Sequence, residues 1–129
     1  MSEAYRPMSP TLLIAEKNKL FLDVLKGISS SLGFSVVGTT SNAFDIEALA
    51  LTAEPDLLLY DMQFSKDGMR LTDLKLLKQQ RPQMKILVMG YHEATLQFVE
   101  EISKAGFDGF WSKFGNRDAL IKELKAIFP

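Results

Sequence analysis

The sequence predicts a single doubly wound α/β domain, a parallel sheet with helices on both faces. Short apolar runs alternate with segments of helical period, five of each, and no Ser/Gly linker or charge block divides them. The runs are largely apolar on both strand faces, as in sheets covered on each side by helices. At 129 residues the chain has the size of one domain with one core.

The elements follow in order. Residues 1–10, with Pro7 and Pro10, read as a flexible tail. "TLLIA" (11–15) is a first strand. From Asn18 the period changes: Leu20, Phe21, Val24, Leu25, Ile28 and Leu32 are expected on one helical face, and Gly33 ends the helix. "FSVVGTT" (34–40) is β-branched and strand-like. Asn42 can cap a helix with Ile46, Leu49 and Ala50 inward, which Pro55 closes. Leu57 to Tyr60 form a third strand, and a loop is expected around "SKDG" (65–68). Leu71, Leu74 and Leu77 mark the inner face of a third helix, and "KILVM" (85–89) is a fourth strand. A helix over 93–104 would turn Leu96, Val99 and Ile102 inward. "FDGFWS" (107–112) is the fifth strand, and Asn116 caps a last helix with Leu120, Ile121, Leu124 and Ile127 inward.

Composition excludes several classes. The chain is 47% hydrophobic and 24% charged, an ordinary globular balance. A net charge of −1 exerts no global pull on nucleic acid, so no direct binding of nucleic acid by this domain is expected. Without cysteine there is no disulfide, thiol catalysis or thiolate metal site, and a single His rules out a His-rich zinc site. The opening "MSEAYRPMSP" lacks a signal-peptide pattern, and no apolar run approaches the ~20 residues that span a bilayer. A cytoplasmic domain with no membrane partner is the expectation.

Right-handed crossovers gather functional groups at the carboxyl ends of the strands. "PDLLLYDMQF" (55–64) places Asp61 at such an end, and Glu16, Lys17, Gly90 and Lys113 lie at others. This set, with "LLIAEKNKLFLDVL" at the first strand, "PDLLLYD" at the third and "AGFDGFWSK" at the fifth, resembles the receiver domain of two-component response regulators. The likeness runs from Thr11 to Phe128 and is nearest to receivers coupled to helix-turn-helix outputs. It implies a receiver domain over 11–129, a flavodoxin-like fold and strand order 2-1-3-4-5.

In that family an aspartate, here Asp61, takes a phosphoryl group in line while Mg²⁺ and a lysine, here Lys113, neutralise the oxygens. Two acids after the first strand, the acceptor and a carbonyl two residues on, here that of Gln63, hold the metal. A Ser/Thr after the fourth strand then draws the loop inward, and an aromatic on the fifth strand, here Phe110, follows.

This sequence departs from the pattern. The acidic pair is Glu16-Lys17, and the Ser/Thr position is Gly90. Phe114 stands where the family has proline after a cis bond, which before a non-proline residue costs ~3 kcal/mol. Ser65 replaces a further proline, and the loop is one residue short before Gly68. The usual three carboxylates and one lysine leave two negative charges for a divalent cation. Here Glu16 and Asp61 face Lys17 and Lys113, and the sum is zero. At an effective dielectric of ~20, opposite charges ~4 Å apart attract by about 4 kcal/mol before desolvation. Lys17 is therefore expected to act as a built-in cation in a salt-bridged plug. Without a metal, Glu16, Asp61 and Gln63 would hold nothing; they remain its ligands if Mg²⁺ binds.

Two functions follow: a degenerate receiver acting as a protein-interaction module without cofactor, or a working receiver. The working form would be phosphorylated on Asp61 by a histidine kinase and control a DNA-binding output domain absent from this chain. An enzyme is not expected: "AEKNK" lacks a phosphate-cradling loop, the dinucleotide fingerprint and the P-loop are absent, and "DMQ" lacks the second acid of a haloacid-type phosphatase. His92 in "GYHE" reads as a polar loop residue. Expected partners are a histidine kinase or another signalling protein. A homodimer through the fourth helix, fifth strand and fifth helix is also expected, with Phe98, Phe110, Trp111 and Phe114 gathered on or near that face.

Overall fold

The computed structural model describes residues 9–66 and 70–129. The expected tail falls mainly on residues 1–8, and the loop at 65–68 and its missing residue involve 67–69; both stretches lie outside the described residues. Five strands, β1 (Thr11–Ala15), β2 (Ser35–Thr40), β3 (Leu57–Asp61), β4 (Lys85–Gly90) and β5 (Gly109–Ser112), alternate with five helices. These are α1 (Lys19–Ser31), α2 (Ile46–Ala53), α3 (Leu71–Gln80), α4 (Leu96–Lys104) and α5 (Arg117–Ile127). All pairings are parallel and the order is β2-β1-β3-β4-β5, as expected.

The side-chain period of two divides the core. Leu13, Leu58, Tyr60, Ile86, Val88 and Phe110 meet the inner faces of α2, α3 and α4, including Ile46, Leu74, Leu77 and Ile102. Their neighbours Leu12, Ile14, Leu57, Leu59, Leu87 and Trp111 meet α1 and α5 through Leu25, Leu120 and Leu124. Every residue of β3 is buried, which explains the unbroken apolar run ahead of Asp61. Edge strand β2 alternates instead, with Val37 exposed.

Helix ends follow local chemistry. The side chains of Asn18, Thr95 and Asn116 accept from the backbone N–H of Phe21, Phe98 and Ala119, capping α1, α4 and α5. Gly33 and Gly106 both take φ of 95°, and the next residues close the turns with Phe34 N–H to Ser29 O and Phe107 N–H to Ile102 O.

Several expectations shift. The inward face of α1 is centred on Leu25 and Ser29, so Leu20 and Val24 lie exposed at 81% and 52%. A 3-10 turn, Ala43–Asp45, precedes α2, and another, Met62–Lys66, follows β3. Helix α4 starts at Leu96 because Thr95 is its cap; Leu96 and Val99 are exposed, and Phe98 packs on the core instead. Residues 34 and 107–108 precede their strands. Pro10 accepts the Ser35 N–H at 2.9 Å, which ties the start of β2 to the chain just before β1.

Candidate functional site

Sheet geometry brings the predicted residues together. Asp61 is the last residue of β3, in register with Met89. Glu16 follows β1 and donates its N–H to Thr40 O at 3.0 Å, and Lys113 follows β5 and donates its own to Gly90 O at 2.8 Å. These backbone bonds hold three side chains at one crevice, where a doubly wound sheet presents its functional groups.

Lys113 is the centre. Its Nζ lies 2.6 Å from Glu16 Oε1 and 3.2 Å from Asp61 Oδ2, and all three side chains are almost wholly buried. The Glu16 Oε1 contact is an ion pair without regular hydrogen-bond geometry. Backbone N–H groups hold the carboxylates as well: Asn18 N–H donates to Glu16 Oε2 at 2.9 Å, Gln63 N–H to Asp61 Oδ1 at 3.0 Å, and Lys17 N–H to Asp61 Oδ2, the oxygen that also faces Lys113, at 3.1 Å. Burial raises the pKa of the Glu16 carboxyl, opposed by Lys113 and the Asn18 N–H and reinforced by the Asp61 charge. Tyr60, behind Asp61 on β3, is raised by burial and by the Asp61 and Asp73 charges.

The expectation for Lys17 is corrected in one respect. Both buried acids are ion-paired by Lys113, while the Lys17 side chain is exposed and lines the mouth of a cleft of about 470 Å³. Met62, Gln63, Gly90 and His92 line the same cleft. The inner cluster alone therefore carries one net negative charge, two carboxylates against one ammonium. Among the described residues no group of three or more His, Cys, Asp or Glu side chains comes together.

Gly90 is buried at the end of β4, and a Cβ there would lie 3.0 Å from Met62 Sδ and 3.3 Å from Met62 Cβ. Methionine thus fills the room that a hydroxyl-bearing side chain would need. This role of Met62 is not visible in the sequence, because the contact joins the ends of two different strands. No cis peptide bond occurs among the described residues.

The aromatic residues do not form the single expected cluster. Phe110 points to the α4 side, edge-on to Phe98 at 4.8 Å, and His92 stacks on Phe98 at 3.7 Å. Trp111, one residue on, points through the opposite face of the sheet. It stacks on Phe21 at 6.0 Å and donates its Nε1–H to Asn116 O, so it belongs to the α1/α5 core. Phe114 is 68% exposed and rests against Tyr91 at 5.5 Å. The rings of Phe21 and Tyr91 each lie 5.3 Å from Lys113 Nζ, a cation–π enclosure unseen in the sequence because Phe21 read as core and Tyr91 as loop.

A carboxylate at the end of β3 beside an ammonium from the end of β5, on a 2-1-3-4-5 parallel sheet, defines the receiver class of doubly wound domains. Residues 12–125 match the family model of the response regulator receiver domain, and the chain belongs to that family, the receiver domains of two-component systems. Its fold is similar to the signal receiver domain of the DNA-binding response regulator merR from Colwellia psychrerythraea 34H, with TM-score 0.78, 23% identity, and 93% of this chain and 98% of that chain covered. It is also similar to a LuxR-family DNA-binding response regulator from Staphylococcus aureus, with TM-score 0.75, 16% identity, and 93% and 99% covered. The isolated REC domain of RcsB from Salmonella enterica serovar Typhimurium, in the presence of phosphomimetic BeF3-, superposes with TM-score 0.81 at 18% identity, covering 93% and 88%. These identities make the likeness one of fold. No curated protein sequence matches this chain.

Proposed function

We propose that this receiver is degenerate and works as a protein-interaction module without Mg²⁺-dependent phosphorylation. The observation that carries the reading is that one buried ammonium ion-pairs with both strand-end carboxylates while three backbone N–H groups donate to them, with Glu16 Oε1 met by the ion pair alone. Mg²⁺ requires several oxygen ligands in a near-octahedral shell. Here it would find two acids already engaged, and Lys17 at the mouth in place of a third. The donor set fits the ion poorly, and no step is routed through it. Met62 against Gly90 adds a second support, since the loop has no hydroxyl with which to grip a phosphoryl group.

On this reading the chain is a signalling module rather than an enzyme, and it acts in the cytoplasm. No described helix is long and apolar enough to cross a membrane. Partners are a histidine kinase or another signalling protein, and a second copy through α4, β5 and α5. Leu96, Val99 and Phe114 are the exposed apolar residues that would anchor that contact, with Trp111 excluded by its burial.

One observation favours a working receiver: Asp61 keeps its lysine at 3.2 Å, the pairing that an aspartyl acceptor needs. Such a receiver would take its phosphoryl group from a histidine kinase and control a DNA-binding output, as the names of the Colwellia and Staphylococcus structures suggest. Acetyl phosphate with Mg²⁺, followed by intact-mass measurement, separates the two. The degenerate reading expects no adduct. A stoichiometric gain of about 80 Da that Asp61→Asn abolishes would overturn it.

A further inference from the structure

Next to the crevice, between α1 and the start of α5, lies an apolar groove of about 260 Å³. Its walls include Phe21, Val24, Ile28, Trp111 and Leu120, and Tyr91 separates it from the Lys17 cleft. Two charged residues line it, Lys113 and Arg117, and both are cations. The Lys113 side chain is buried behind the Phe21 and Tyr91 rings, so it gives the groove positive charge rather than an open donor. The Arg117 guanidinium is exposed and makes no ion pair or hydrogen bond among the described residues.

We propose that this groove is a binding site for a small aromatic carboxylate. Its volume is just below the roughly 300–1,000 Å³ of sites for drug-sized ligands, which limits the occupant to about one substituted ring. The ring would pack against Phe21, Val24 and Tyr91, and the carboxylate would pair with the exposed Arg117, with the Lys113 charge behind the Phe21 and Tyr91 rings adding to the positive field. Glu16 and Asp61 do not line the groove, so no acid faces the ligand directly. Val24, half-exposed on α1, is part of its open wall. Occupancy would bear on the ion-pair cluster through Lys113. The site stands whether or not Asp61 accepts phosphate, because neither acid nor a metal contributes to it.

Trp111 is the sole tryptophan, so its emission reports on the groove. Phenylacetate is titrated into the full chain, with neutral phenylacetamide as control, and binding is repeated with Arg117→Ala and with Val24→Phe, which fills the groove from its exposed wall. The expected result is a saturable change with phenylacetate, weakened about tenfold in each variant and about tenfold with the amide. Amide proton shifts in a two-dimensional NMR spectrum should map to α1, Tyr91 and the start of α5. No saturation up to about 10 mM, the weak limit for so small a ligand, overturns the proposal. Equal affinity for acid and amide, or binding unchanged in both variants, overturns it too. If the chain instead sediments as a dimer that Val24→Phe dissociates, and binds no phenylacetate, the groove belongs to a second copy and the ligand site is refuted.

Discussion

Lys113→Met removes the positive charge from a site where two carboxylates and the ammonium are all about 2% exposed or less. Breaking a buried ion pair by deleting one partner costs about 3–5 kcal/mol, because the remaining charges stay desolvated. Backbone N–H bonds to Asp61 and Glu16 remain and place the loss toward the lower end. For a domain of this size about 1 kcal/mol moves Tm by some 3–4 °C, so a fall of about 10–15 °C at pH 7 is expected. The pH dependence supplies a sharper test. Glu16 has a folded pKa raised above 4.5, so the folded state holds its proton more tightly than the unfolded chain. Its contribution to stability is complete below 4.5 and is lost as pH rises through the folded value. Lys113 is among the groups that lower that pKa, so its removal raises it further and the variant should recover part of its deficit on mild acidification. Glu16→Gln in the Lys113→Met background mimics that protonation and should restore stability at pH 7. Thermal unfolding followed by circular dichroism at pH 7 and pH 5.5 measures all of this. A Tm for Lys113→Met within about 3 °C of the wild type, equivalent to about 1 kcal/mol, would refute the buried-cluster argument.

Lys17→Asp places a third carboxylate at the mouth of the cleft and should create saturable Mg²⁺ binding by calorimetry; tight binding by the unaltered chain would defeat the degenerate reading. Gly90→Thr forces a Cβ to 3.0 Å from Met62 Sδ and should destabilise by about 1–3 kcal/mol, with Met62→Ala relieving most of it; additive effects in denaturant titrations would mean the two residues do not compete for one space. Self-association through α4, β5 and α5 should be weakened by Leu96→Glu and unaffected by beryllofluoride in sedimentation, and a monomer that dimerises only with that phosphoryl mimic would show a switch that still operates.

The alternation of apolar runs and helical periods determined the element order, and an unbroken run at 57–60 placed Asp61 at a strand's end. Both signals are local: burial on two faces demands apolar residues in succession, and helix period demands them every three or four. The site was legible to the same depth, since Asp61 ends and Glu16 and Lys113 follow strands of one parallel sheet, and all three must meet at its carboxyl edge. That Lys113 ion-pairs with both acids while Lys17 stands exposed was not legible. Lys17 and Lys113 are equally charged in the sequence, and only the register of β5 against β4, with Lys113 N–H on Gly90 O, sends the second one inward. Strand period alone separates Phe110 from Trp111 across the sheet, but the partners they meet, Phe98 and Phe21, come from helices far apart in the chain. The same holds for Met62 against Gly90 and for the groove behind Tyr91. Contacts between loops at the ends of different strands depend on how the whole sheet is assembled, so tertiary structure alone decided them.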